Sequence, residues 1–258
     1  MEATFSRASV AYKQDGTEVA AGAPRYESLA NIGEPLLVIT FDDTHSSDYT
    51  IAFPEMTARG LYGTPYITTN YVGGSWALSW PQIAEMRAAG WATECHTHTH
   101  PDLTTLTDAE IRTELETVNA AFITNGLAAP RHHAYPGGTF DTRVKGIVAE
   151  YRDTADRVGG LFNAYATMDY FEIRRSGAHM TTEAHLEWVK SFLRRHMRNN
   201  DIAVLVLHRI VEADPVPAQY DCLASLFRQL LDFVVECGIK VVTTPQMYAI
   251  VRAFRGEG

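Results

Sequence analysis

Pro35-Leu36-Leu37-Val38-Ile39-Thr40-Phe41-Asp42-Asp43 is an apolar run of strand length that ends on two adjacent carboxylates. A run this short and this apolar reads as a strand buried on both faces, the habit of parallel sheets. Working outward, similar short runs recur at Pro65 to Thr68, Ala92 to His96, His132 to Tyr135, Ala203 to Leu207 and Lys240 to Thr243. Amphipathic stretches with helix-start signals lie between them. Thr107-x-x-Glu110 is a capping box ahead of a helix to about Asn125, with Gly126 as its stop. Ser79-Trp80-Pro81 opens another helix, Asp141 and Thr181 read as caps for helices near 142 to 151 and 182 to 198, and Ala224 to Glu236 is the last clear one. Strand and helix in alternation predict an α/β fold of parallel strands joined by crossover helices.

With 258 residues, the chain is long for one average domain but within the range of a single α/β barrel. An apolar fraction of 46% and a charged fraction of 21% allow a sizeable core and argue against disorder. The formal charge of -9 disfavours a nucleic-acid or anionic-membrane partner, since a phosphate surface needs a basic face. Cys95, Cys222 and Cys237 form no Cys-x-x-Cys pair and read as buried thiols. Met1 to Ser6 carries no basic region followed by an apolar run, so no export route is expected from the chain itself. Residues 1 to 34, rich in Ala, Gly and Ser with Asp15-Gly16 at a plausible hairpin, read as an appendage to a main domain over 35 to 258.

The reactive residue types collect at the carboxyl ends of the expected strands: Asp42 and Asp43, His96 to His100, Tyr135-Pro136-Gly137-Gly138, and His208. In parallel barrels that rim is where active sites are built. Imidazole and carboxylate are common ligands of zinc-like ions. The His96-x-x-x-His100 spacing lets both rings reach one ion if the chain turns helically there, with His98 looking elsewhere. A histidine cluster alone is equally compatible with a surface, nucleic-acid or core hydrogen-bonding role.

Taken in order, these motifs resemble the NodB-type polysaccharide deacetylases, the carbohydrate esterases of family four, over about Leu36 to Thr244. The resemblance implies a distorted (β/α) barrel of about seven parallel strands and a metal-dependent hydrolase that removes acetyl groups from a polysaccharide. It assigns Asp42 of Thr40-Phe41-Asp42-Asp43 as general base and Asp43 as metal ligand, with His96 and His100 as the other ligands and His208 of Leu205-Val206-Leu207-His208 as general acid. Ala134-Tyr135-Pro136-Gly137-Gly138 matches a third motif in part, with the Gly137 N–H as oxyanion donor and Tyr135 as a wall. The family's Gly after the acid pair is replaced by Thr44, and its usual Arg is missing from the third motif. Ile173-Arg174-Arg175-Ser176 resembles a variant that supplies the arginine from a later strand, with Arg175 ahead of Arg174 as partner of Asp42.

The implied cofactor is a divalent ion, zinc first, with cobalt, nickel or manganese also suited to two imidazoles and a carboxylate. The implied partner is an acetylated polysaccharide, an N-acetylated amino sugar first and an O-acetylated glycan next. Trp76, Trp80, Tyr66, Tyr71 and Tyr135 are candidate stacking faces for sugars, and Asp214 to Pro217 a loop bordering the groove. Two other readings stand beside this one: a hydrolase of non-sugar amides or ureides on the same barrel, and an inactive glycan-binding virion module. Phe5 to Ser9 and Ala23 to Glu27 resemble a short segment of phage tail and virion proteins, which gives an extracellular or virion-associated location as one expectation and a cytoplasmic one as the other. Oligomeric state is left open.

Overall fold

The computed structural model describes residues 33–213 and 218–257. The hairpin expected around Asp15-Gly16, the phage-like segment and the Asp214 to Pro217 loop lie outside these residues. In chain order the elements are β1 (Leu36–Phe41), a short wide turn over Asp48–Ala52, α1 (Phe53–Thr57), β2 (Thr64–Ile67), α2 (Trp80–Ala88), β3 (Glu94–Cys95), α3 (Asp108–Thr124), β4 (His132–Ala134), α4 (Thr142–Ala149), β5 (Thr154–Val158), β6 (Ile173–Gly177), α5 (Glu183–Asn199), β7 (Ile202–Leu207), β8 (Ile210–Val211), β9 (Cys222–Leu223), α6 (Ala224–Glu236), β10 (Lys240–Val241) and α7 (Thr244–Arg255). Strands β1 to β7 are neighbours in sequence order and parallel, and β7 pairs back onto β1 from Leu36↔Ile202 to Phe41↔Leu207. That last pairing closes a seven-stranded (β/α) barrel of NodB type. β10 adds to the start of β1 through Leu36↔Lys240 and Leu37↔Val241, and β8 and β9 form a separate parallel pair.

Alternation along the strands explains both core and site. Leu37, Ile39 and Phe41 belong to the large apolar cluster that includes Leu115, Val118 and Phe122 of α3 and Phe227 and Leu230 of α6. Leu36 and Val38 point the other way and join Ile173, Ile202 and Val204 with Met247, Ile250 and Val251 of α7. Side chains two apart share a face. Continuing that second face past the apolar residues gives Thr40 and Asp42 on β1, Arg175 on β6 and His208 after β7. The same three strands therefore carry apolar residues at one end of the barrel and reactive ones at the other.

Several expected boundaries shift, each for a local reason. Thr182, not Thr181, caps α5, its side chain accepting from His185 N–H. Strand β10 ends at Val241 because Thr243 begins α7, with a Thr243-Gln246 capping box and Pro245 in the first turn. α7 lies beyond the helix read as the last one. β5 escapes an apolar-run reading because Asp156 and Arg157 interrupt it. Cys95 and Cys222 are buried, whereas Cys237, past the end of α6, is partly exposed. Among the described residues no helix is long and apolar enough to cross a membrane.

Candidate active site

Asp42 extends β1 by one residue, its N–H donating to the Leu207 carbonyl at 2.9 Å. The chain then enters the left-handed region at two successive non-glycine residues, Asp43 at φ 69° and Thr44 at φ 64°. For a β-branched residue that conformation is strained and needs fixing from outside. Thr44 stands where glycine was expected, and its hydroxyl supplies the fixing by accepting the Thr68 N–H at 2.8 Å from the neighbouring strand end. The reversal turns the Asp43 carboxylate towards the histidine loop.

Between His96 and His100 the chain does not turn helically, contrary to the spacing argument. Thr97 and His100 both take positive φ, 65° and 62°. Thr97 Oγ accepts the His100 N–H at 3.0 Å, and Glu114 of α3 accepts the N–H groups of His98 and Thr99 at 2.7 and 2.8 Å and the Thr99 hydroxyl at 2.6 Å. Held this way, His96 and His100 present Nε2 to one carboxylate oxygen, Asp43 Oδ1, at 3.4 and 3.2 Å. His98 turns aside and bonds Thr69 through Nδ1 at 2.9 Å. Cys95 faces the packing beside His133 and Arg152.

The donor set fits a divalent ion. One ligand atom from each of Asp43, His96 and His100 lies within 4.8 Å of the others. Asp43 Oδ1 is buried yet completes no hydrogen bond of acceptable geometry with either ring. His96 Nδ1 is engaged by the Ala134 carbonyl at 2.8 Å, which orients the ring and leaves Nε2 to coordinate. Burial would raise the Asp43 carboxyl, but the His100 and His96 rings outweigh it and hold it well below the usual carboxylate range.

Asp42 is held separately. Arg175 donates from Nη1 to Oδ1 at 2.7 Å and from Nη2 to Oδ2 at 2.8 Å, and both side chains are buried. Burial raises the Asp42 carboxyl, while the Arg175 charge, with help from His96 and His208, brings it net below its ordinary value. The exposed neighbour Arg174 instead lays its stem over Gly160. Behind Arg175 sits a second buried carboxylate that sequence reading missed: Asp156 of β5, whose Oδ2 is 3.9 Å from Arg175 Nε and accepts the Tyr66 hydroxyl at 2.9 Å. Burial pushes Asp156 up to about 7 against the pull of Arg175. Tyr66 is thus a buried network member under the Arg175 guanidinium, 5.4 Å from its ring, and not a sugar platform. Trp80, edge-on to Phe122 at 5.4 Å, is likewise packing.

His208 places Nε2 3.8 Å from Asp43 Oδ2 and Nδ1 3.0 Å from Nε2 of His179, another residue the sequence did not mark. Burial lowers the His208 imidazole, with Asp42 and Asp43 opposing. The turn after β4 takes positive φ at Gly137 and Gly138. A Cβ on Gly138 would meet the Val158 backbone nitrogen at 2.7 Å, so only glycine lets this turn sit against β5. Asp42, Asp43, His96, His100, Tyr135, Gly137, Arg175 and His208 all line one cleft of about 540 Å³. Its outer border is apolar: Val158, Leu161, Trp188 and Tyr220, 40 to 54% exposed, are among the lining residues. Tyr71 stacks near His100 and lies tilted at 59° to the exposed Trp76.

Comparison with known proteins points one way. The family model described as polysaccharide deacetylase matches residues 30–154, which carry Asp42, Asp43, His96, His100 and Gly137. A putative polysaccharide deacetylase of Bacillus subtilis is 30% identical over 82 residues, 32% of this chain and 29% of the relative's length. The chain therefore matches less than a third of that curated protein. Among solved structures, a family 4 acetyl xylan esterase from Clostridium thermocellum superposes with a TM-score of 0.59 at 17% identity, covering 86% of this chain and 93% of the other. A family 4 carbohydrate esterase from Streptomyces lividans gives 0.58 at 16% identity, covering 82% and 94%. The two solved structures establish the fold, and the match over residues 30–154 shows that this part of the barrel, which bears Asp42, Asp43, His96, His100 and Gly137, is similar to the polysaccharide deacetylases.

Proposed function

We propose that the chain is a metal-dependent hydrolase that removes acetyl groups from a polysaccharide, an N-acetylated amino sugar first and an O-acetylated glycan next. The observation that carries this reading is the separation of two carboxylates: Asp43 Oδ1 faces His96 and His100, while Asp42, one residue away, is locked on Arg175. Asp43, His96 and His100 would hold a divalent ion, zinc or else cobalt, nickel or manganese; the Clostridium thermocellum relative was solved with cobalt. Such an ion supplies Lewis acidity that brings a water's pKa towards about 7 and polarises the acyl oxygen.

Asp42, kept ionised by Arg175, takes the proton of the attacking water. The Gly137 N–H, on the turn that lines the cleft, donates to the developing oxyanion. His208 protonates the departing sugar nitrogen or oxygen, and acetate leaves with the glycan intact. The open cleft bordered by exposed Trp188 and Tyr220 favours an extended, uncharged ligand over a small ureide. The name of the Clostridium thermocellum relative, an acetyl xylan esterase, supports keeping O-acetyl glycans in view. An extracellular or virion-associated setting would bring such a polymer within reach.

The test is acetate release from chitooligosaccharide, peptidoglycan and acetylated xylan by metal-stripped protein, with and without each of the four ions. Metal-dependent release is expected, and its absence with every ion and polymer overturns the reading. His96→Ala should lower metal content and activity together. Asp42→Asn should spare the metal and remove turnover.

A further inference from the structure

His179 lies between β6 and α5, and its ring is boxed by its surroundings. The Tyr220 ring stands 5.1 Å away at 74°, and Gly177 leaves the space the imidazole fills, since a Cβ there would meet His179 Cε1 at 2.9 Å. Its Nε2 is 3.0 Å from Nδ1 of His208. That contact occupies the His208 nitrogen turned away from the metal ligands, while Nε2, 3.8 Å from Asp43 Oδ2, is the one on their side. Two polarities are open to such a pair. If His179 donated, His208 Nδ1 would have to be bare, and His208 could not then carry two protons. A histidine that protonates a leaving group must start with both nitrogens protonated. Burial lowers the His179 imidazole, which suits it to the part of neutral acceptor.

We propose that His179 is the positioning residue of His208: its Nε2 accepts the His208 Nδ1–H, so that the proton given to the leaving group departs from His208 Nε2. The inference rests on the deacetylase reading and deepens it. In the step concerned the acyl C–N or C–O bond breaks and its electron pair goes to the sugar nitrogen or oxygen, which takes the Nε2 proton. His208 is left neutral, its remaining proton on Nδ1 and held by His179.

The experiment uses two acetyl donors and two variants of the metal-loaded protein. An acetylated sugar oligomer needs its leaving group protonated, whereas 4-nitrophenyl acetate does not, because the nitrophenolate leaves unaided. His179→Phe keeps a ring against Tyr220 and removes the acceptor. His179→Gln keeps an acceptor near the position of Nε2. On the oligomer, His179→Phe should lose about tenfold or more in kcat with KM unchanged, and His179→Gln should stay within about threefold of wild type. On the aryl acetate both variants should match wild type. If His179→Phe keeps its full rate on the oligomer, or if the two variants fall by one common factor on both donors, the inference is overturned. A wild-type protein inert towards both donors overturns the deacetylase reading instead, and the inference falls with it.

Discussion

Asp42 and Arg175 meet as a two-on-two pair, each carboxylate oxygen on one terminal guanidinium nitrogen at 2.7 and 2.8 Å, with both side chains buried. A buried pair of this kind is expensive to break, because removing one partner strands the other charge. Arg175→Met should therefore lower stability by about 3–5 kcal/mol, read as a shift in urea midpoint. Arg175→Lys, which cannot form the fork, should recover only part of that. The pH dependence has a definite sign. Asp42 is lowered from 3.8 in the folded state, so its contribution is full above that value and fades as pH falls through the lower folded one. A wild-type acid-unfolding curve that superposes on that of Arg175→Met would contradict this account.

Asp156 behaves in the opposite sense. Its folded value is raised from 3.8 to about 7, so across that window the folded protein keeps a proton the unfolded chain has released. Its contribution is complete below the lower value, declines as pH rises through the window and levels off above it. The slope approaches about 1.4 kcal/mol per pH unit at most. Asp156→Asn keeps the shape and removes the titration. Urea midpoints of wild type should fall between about pH 4 and pH 7 more steeply than those of the variant. Equal slopes would show that Asp156 is ionised throughout.

What the sequence disclosed and what it hid divide along a physical line. β7 is apolar from end to end and β1 is apolar but for Thr40, so their extents and the polar residues that follow them could be read directly. β5 and β6 turn Asp156 and Arg175 into the barrel, and charged residues on an inward face erase the apolar run that marks a strand. Only a family resemblance drew attention to Arg175, and nothing drew it to Asp156. α7 was announced by Thr243-x-x-Gln246 with Pro245, the same signal as Thr107-x-x-Glu110, and that mark could have found it. His179 and Glu114 carried no local mark at all. Their importance lies in contacts to His208 and to the His98-Thr99 backbone that exist only once helices and strands have packed.

Glu114 gives the next prediction. Its carboxylate is the α3 anchor of the loop between His96 and His100, where Thr97 and His100 hold an unfavourable backbone. Without that anchor the two imidazoles lose their fixed separation before they lose their chemistry. Glu114→Ala should weaken metal affinity by about tenfold, a usual loss for a residue that orients ligands. Because Glu114 is only partly buried and α3 is held by Ile111, Leu115, Val118 and Phe122, the melting point of the metal-free protein should barely move. Competition with a chromophoric chelator measures the first quantity and calorimetry the second. Unchanged affinity would mean that Thr97 alone suffices to hold the loop.

Trp188 separates binding from chemistry. It is 51% exposed on α5, stacks on Phe192 with rings 5.8 Å apart, and lines the cleft that also holds Asp43, His96 and His100. A half-exposed indole stabilises the fold little, so its exposed face is available to the apolar side of a sugar ring. Trp188→Ala should raise KM for an acetylated oligomer by roughly fivefold, the equivalent of about 1 kcal/mol of stacking. Turnover at saturation should be preserved, because the indole has no part in the proton transfers assigned to Asp42 and His208. A small acetyl ester, which cannot extend to the rim, should show no change in KM. If the small ester suffers as much as the oligomer, Trp188 shapes the acyl site itself and the sugar chain must run along another wall, for which Tyr71, beside His100, and Trp76, against Tyr71, are aromatic candidates.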